Sequence, residues 1–159
     1  MCIRDRVTLK WGLQNSNNLV SAYLMSRLVP NDYRQCGVVY IEMLKKFGIC
    51  TTGIQPSLAL SLGAYEASVR EMVSAYTAFA NHGIRSAALF VTKIEDSNGD
   101  VIANFQPQMK EVISEENSYR MIDMLKAVVD HGTGARMRSR YNVTCEMGGK
   151  TGTTNDNSD

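Results

Sequence analysis

Histidine and tryptophan are scarce in this 159-residue chain, at two and one, and its four cysteines stand far apart at Cys2, Cys36, Cys50 and Cys145. With no CxxC pair and so few imidazoles, the pattern argues against a zinc site. Cys36 and Cys50 could pair in an oxidising compartment, but spacing alone cannot bring two Cα atoms within bonding reach, and free thiols are the favoured reading. Charge of one sign is also lacking: 17 basic against 16 acidic residues leave a net charge of +1, with no basic block of the kind that binds nucleic acid. No apolar run approaches the roughly 18 residues of a spanning helix, and MCIRDRVTLK has no apolar centre of a signal peptide. Repeats, low-complexity tracts and cofactor-binding patterns are missing too. What remains is the composition of one globular domain, 44% hydrophobic and 21% charged.

Taken in order, Val7 to Trp11 is an apolar, β-branched patch, and the cluster Asn15, Ser16, Asn17, Asn18 opens a helix whose apolar positions are Val20, Tyr23, Leu24 and Leu28. Residues 31–36 read as polar loop. From Gly37 a short helix presents Tyr40, Met43, Leu44 and Phe47, with Gly48 in the C′ position. The stretch PSLALSLGAYEAS shows little chemistry. Ser68 and Glu71 form a capping box ahead of a stripe of Val69, Met72, Val73, Tyr76, Phe79 and Ala80, which reads as core, with His82 as a dipole partner at the helix end. Runs at 89–94 and 101–105 flank Asn98 and Gly99, predicting a peripheral hairpin with a type I′ turn. Ser114 opens another helix, with Met121, Ile122, Leu125, Val128 and Val129 on one face. HGTGARMRSRYNVTCEM reads as a basic, mostly solvated connection.

The chain ends in GGKTGTTNDNSD, a lysine among glycines and hydroxyls suited to holding an anion against open backbone. GKT also occurs in phosphate-cradling loops, but those need glycine six positions before the lysine, and that position is Thr144. The competing reading is a KTG box, which works with an SxxK nucleophile and an SDN-type triplet.

The order of QNSNNLVSAYLM, PSLALSLGAYEAS with EMVSAYTAFANHG, VTKIEDSNGDVI, MLKAVVDHGTGAR and GGKTGTTNDNSD resembles the C-terminal part of the transpeptidase domain of class A penicillin-binding proteins. That resemblance implies an α+β fold of the penicillin-binding protein and serine β-lactamase type: mostly helices, a peripheral hairpin, and a KTG edge strand in an antiparallel sheet, with residues 143–147 leading into it as strand. Ser16 and Asn18 match the SxN motif, the serine passing a proton to the leaving amine and the asparagine binding the substrate amide. Lys150, Thr151 and Gly152 match the KTG box. The lysine would supply positive potential, Thr151 and Thr153 would hold the substrate carboxylate, and the Thr153 N–H would serve an oxyanion hole.

SxxK is lacking: Lys10, Lys45, Lys46, Lys93, Lys110, Lys126 and Lys150 follow Val7, Glu42, Met43, Phe90, Pro107, Asp123 and Met147 at three positions. The resemblance places that motif upstream of Met1. MCIRDR reads as an abrupt beginning and neither a cap nor a strand start, so residues 1–6 are expected to be a non-native or artefactual start, and 7–159 a partial transpeptidase domain truncated at both ends. The implied parent is a peptidoglycan D,D-transpeptidase that acts on D-Ala-D-Ala stem peptides, binds β-lactams, needs no cofactor and works beside other cell-wall synthesis proteins. It would act on the periplasmic or extracytoplasmic face of the bacterial inner membrane, anchored by a segment outside this sequence. The chain alone is expected to be inactive. A carboxypeptidase or β-lactamase-like hydrolase and a non-catalytic muropeptide-binding module are the alternatives.

Overall fold

The computed structural model describes residues 6–152. Five helices begin at a side chain that accepts from a first-turn amide left without an intrahelical partner. Thr8 opens α1 (Leu9–Gln14), Asn17 opens α2 (Asn18–Ser26) and Asp32 opens α3 (Tyr33–Lys46). Ser68 opens α4 (Val69–Ala80) and Ser114 opens α5 (Glu115–His131). A 3-10 turn at Leu58–Leu62 and a single helical turn, α6 (Arg136–Ser139), complete the helical part. Four short strands, β1 (Ile84–Ser86), β2 (Lys93–Glu95), β3 (Val101–Asn104) and β4 (Met109–Glu111), form two antiparallel pairs, β1 with β4 and β2 with β3. The fold is α+β and mostly helical, as expected.

Met25, Cys36, Ile41 and Leu60 pack α2, α3 and the 3-10 turn together, while Leu44, Ile49 and Ala75 join α3 to α4. Leu125, Val128 and Val129 are buried on α5, which packs against α1 and α4. Two serines bind the seams: Ser118 Oγ donates to Phe79 O at 2.7 Å, and Ser74 Oγ donates to Ser86 O at 2.7 Å. Both satisfy carbonyls at the ends of elements, where the ladder no longer supplies a partner. The two-fold tie of Lys10 to Asp123, at 2.7 and 2.8 Å, adds a polar link between α1 and α5.

Several expectations are corrected. Residues 33–36 belong to α3, because Asp32 rather than Gly37 starts the helix, and Met43 lies on its exposed side. Residues 9–14 are helix, and 136–139 form a turn of helix within the expected loop. The α4 stripe is not core: Val69 is 81% and Val73 61% exposed, whereas Ser74, Ala75 and Ala78 are buried. Small side chains let α4 approach its neighbours closely, and that contact decides which face turns inward. The hairpin turn is not type I′, since Gly99 (φ 88) is left-handed and Asn98 is not. Asp96 organises it instead, its Oδ1 accepting from the amides of Asn98 and Asp100. The thiols, by contrast, are as expected: Cys36, Cys50 and Cys145 are free, Cys36 buried with its Sγ against the backbone of Val29. His82 pairs with Glu115 at 3.0 Å and rests on Tyr119, a link between α4 and α5.

Candidate active site

The first wall of the site is made where α1 turns into α2. Asn15 caps the end of α1, Ser16 adopts a left-handed φ of 51°, and the Asn17 amide donates back to Gly12 O at 2.9 Å. A left-handed conformation is uncommon for serine, and an observed outlier of this kind marks a position fixed by its surroundings. Gly12 permits the tight reversal, because a Cβ there would lie 2.7 Å from Val20 Cγ1. Capping of α2 falls to Asn17, whose Oδ1 accepts from the Val20 amide at 3.1 Å. The flanking Ser16 and Asn18 are thereby released from that duty, and both line a cleft of about 840 Å³.

The second wall is the segment that ends in Lys150. Residues 143–152 form no regular strand among the described residues, contrary to the expected KTG edge strand, because their backbone groups are engaged by side chains and by a helix instead of by a ladder. Arg138 donates to Val143 O at 2.7 Å and Cys145 O at 2.6 Å while its Nε binds Asp130 at 2.9 Å. Lys126 pairs with Glu146, and the Gly149 amide donates to Leu125 O at 3.2 Å. Arg138 thus belongs to the scaffold of the site and is not a solvated connection residue.

Lys150, half-buried by these contacts, points its Nζ at Ser16 Oγ, 2.8 Å away and 134 residues distant in sequence, and also donates to Thr151 O at 2.8 Å. Burial pulls its pKa below the ordinary lysine value, since desolvation disfavours the ammonium form. An ammonium donating to a serine hydroxyl stabilises negative charge on that oxygen, and a lysine of lowered pKa passes its proton on more readily. Thr151 and Gly152 line the same cleft, so of the six residues singled out in the sequence the structure brings five together. Thr153 lies outside the described residues.

Sequence reasoning missed Ser21, Ser61 and Thr133, which also line the cleft. Thr133 Oγ1 lies 2.7 Å from Thr151 Oγ1. Its signal was a hydroxyl between two glycines, Gly132 and Gly134, in a stretch read as plain loop. Ser61 had no local signal, because its Oγ donates to Leu58 O at 2.8 Å like any helical serine.

The chain matches the penicillin binding protein transpeptidase domain over residues 3–159. It belongs to that family. Penicillin-binding protein 1A of Aquifex aeolicus is 32% identical over 150 residues, covering 94% of this chain and 19% of that relative. The crystal structure of penicillin-binding protein 1A from Haemophilus influenzae superposes with a TM-score of 0.79 at 23% identity, over 94% of this chain and 27% of that one. The D,D-transpeptidase domain of a peptidoglycan glycosyltransferase from Eggerthella lenta gives 0.67 at 21% identity, over 93% of this chain and 42% of that one. These two likenesses show the fold. The chain spans about a fifth of that curated relative's length.

Proposed function

We propose that the Ser16–Lys150 cleft is one side of the acyl-transfer site of a peptidoglycan D,D-transpeptidase, and that Ser16, Asn18 and Lys150 act on the reacting groups while Thr151, Gly152 and Thr153 receive substrate. The observation that carries the reading is the 2.8 Å contact between the Lys150 ammonium and the Ser16 hydroxyl across two separately built walls. In this reading a serine of an SxxK motif upstream of Met1 attacks the penultimate D-alanine carbonyl. The C–N bond to the terminal D-alanine breaks, Ser16 delivers the proton that the leaving amine needs, and the proton shed by the attacking serine restores the Ser16 hydroxyl. An amine from a neighbouring stem peptide then takes the acyl group and releases the serine. The Lys150 ammonium makes the Ser16 proton more acidic at the moment of transfer, and in this reading the Asn18 amide, at the start of α2, hydrogen-bonds the substrate backbone.

β-Lactams, whose strained amide presents the same carbonyl and carboxylate, are taken as ligands of the intact protein. Among the described residues no helix is long and apolar enough to cross a membrane. Placement on the extracytoplasmic face of the inner membrane belongs to the same proposal, with the anchor in a segment outside this sequence.

Fluorescent penicillin tests the reading. The 159-residue chain should remain unlabelled on a denaturing gel, whereas the longer gene product should be labelled at a serine of an upstream SxxK. Replacing Lys150 by alanine in that longer protein should slow labelling by about a hundredfold, the scale of lost proton-transfer assistance. Covalent labelling within residues 1–159, or an upstream sequence without SxxK, overturns the proposal.

A further inference from the structure

We infer that Thr133 is a positioning residue that ties the two walls of the cleft together and commits the Thr151 hydroxyl to donating toward a ligand carboxylate, an inference that rests on Thr151 binding that carboxylate. Thr133 follows Gly132, the C-cap of α5. Its amide donates to Gln14 O at 3.1 Å, two residues ahead of Ser16, and the Gln14 side chain returns a bond from Nε2 to His131 O at 3.0 Å. The Ser16 wall is thus held to the end of α5 at both the backbone and the side chain of one residue. From the same position Thr133 Oγ1 reaches Thr151 Oγ1 at 2.7 Å, next to the lysine that reaches back to Ser16. Ser16, Lys150, Thr151, Thr133 and Gln14 form a closed ring. The separation of Ser16 and Lys150 is then fixed at a second point, and is not left to a flexible lysine stem.

The ring also has a chemical consequence. Each hydroxyl has one proton to donate and two lone pairs, and only one proton can lie between two oxygens. With Thr133 donating, the Thr151 proton is free to turn into the cleft. Either hydroxyl can donate across the 2.7 Å contact, and a carboxylate in the cleft, which only accepts, selects the orientation in which Thr133 donates to Thr151 and Thr151 donates to the ligand. Gly132 makes the approach possible, because a Cβ at that position would lie 2.2 Å from Gln14 O.

The test uses the 159-residue chain with acetyl-D-alanyl-D-alanine and its methyl ester as probes, titrated while the backbone amide resonances of residues 150–152 are followed by NMR. Thr133→Val should weaken binding of the acid about tenfold, the scale of one hydrogen bond, with little change for the ester. Thr133→Ser should restore the acid. If the valine variant does not fold, Thr133→Ala carries the same comparison. Thr151→Val separates the underlying reading: if it keeps the preference for acid over ester, or if the unsubstituted chain does not bind the acid, the carboxylate role of Thr151 falls and this inference with it. A loss of preference in Thr151→Val but not in Thr133→Val overturns the inference alone. Equal losses for acid and ester in Thr133→Val also overturn it, since that is the signature of a scaffold residue.

Discussion

Replacing Arg138 by methionine tests how the Lys150 wall is held. The guanidinium makes three kinds of contact at once, to Asp130, to Val143 O and to Cys145 O, with its side chain 27% and that of Asp130 33% exposed. Methionine keeps much of the stem's packing but leaves the carboxylate and both carbonyls without the donor. Each carbonyl bond to a charged donor would be worth about 2 kcal/mol if fully buried, and partial exposure lowers this to about 1 kcal/mol each. The ion pair, partly screened, adds about 1 kcal/mol. The expected loss is therefore about 3 kcal/mol, read as a lower midpoint in urea unfolding followed by circular dichroism, with the slope unchanged. Arg138→Lys should recover little of it, because a single ammonium cannot serve three acceptors in the geometry of the planar fork. Exposed Arg136 supplies the control: Arg136→Met should stay within about 0.5 kcal/mol of the parent. A cost below about 1 kcal/mol for Arg138→Met, or equal costs at 136 and 138, would refute the clamp.

Asn17→Ala should cost about 1 kcal/mol through loss of the α2 cap, whereas Ser16→Ala should cost less than about half of that, since its hydroxyl caps nothing; thermal unfolding of the two variants distinguishes them. Gly132→Ala should cost about 1–3 kcal/mol in the same assay, as the new Cβ meets the Gln14 carbonyl, and it should also shift the Ser16 amide resonance. Acid should weaken the start of α4. Hydrogen bonds from Ser68 and from the Cys50 amide pull the Glu71 pKa from 4.5 to about 2. The folded value lies below the unfolded one, so this contribution is complete above the ordinary value and is lost as pH falls toward about 2. Glu71→Gln should flatten the acid limb of the stability profile, and an unchanged limb would refute the assignment.

The helices were legible where the sequence carries its own boundary. Ser68 with Glu71, and Ser114 ahead of two glutamates, are local chemistry, and both capped the helices expected of them. The three-residue strands β1 and β4 were not legible, because three residues cannot display an alternation, and their pairing joins residues 23 to 27 positions apart. The α4 stripe misled for the opposite reason. Its periodicity is real, yet the inward face was chosen by Ser74, Ala75 and Ala78, whose small size allows close packing and which a hydrophobicity pattern ranks low. Arg138 was hidden in the same way, since three neighbouring arginines look alike until one of them finds Asp130 and two carbonyls.

The Ser16–Asn17–Asn18 triplet shows why a site can be ambiguous in sequence and plain in space. Serine and asparagine at a helix start predict a cap, and a cap is there, but the middle residue provides it. Had Ser16 been the cap, its Oγ would face the α2 amides and could not also meet Lys150 at 2.8 Å. The left-handed φ of Ser16 turns its side chain out of the helix start, and Gly12 and Gly132 make room for that turn on either side of α1. Two glycines and one asparagine therefore do the structural work that lets a serine face a lysine. The same three positions are where loss of the site and loss of stability should part company: substitutions at Gly12, Gly132 and Asn17 weaken the fold, and substitution at Ser16 removes the hydroxyl while leaving the fold in place.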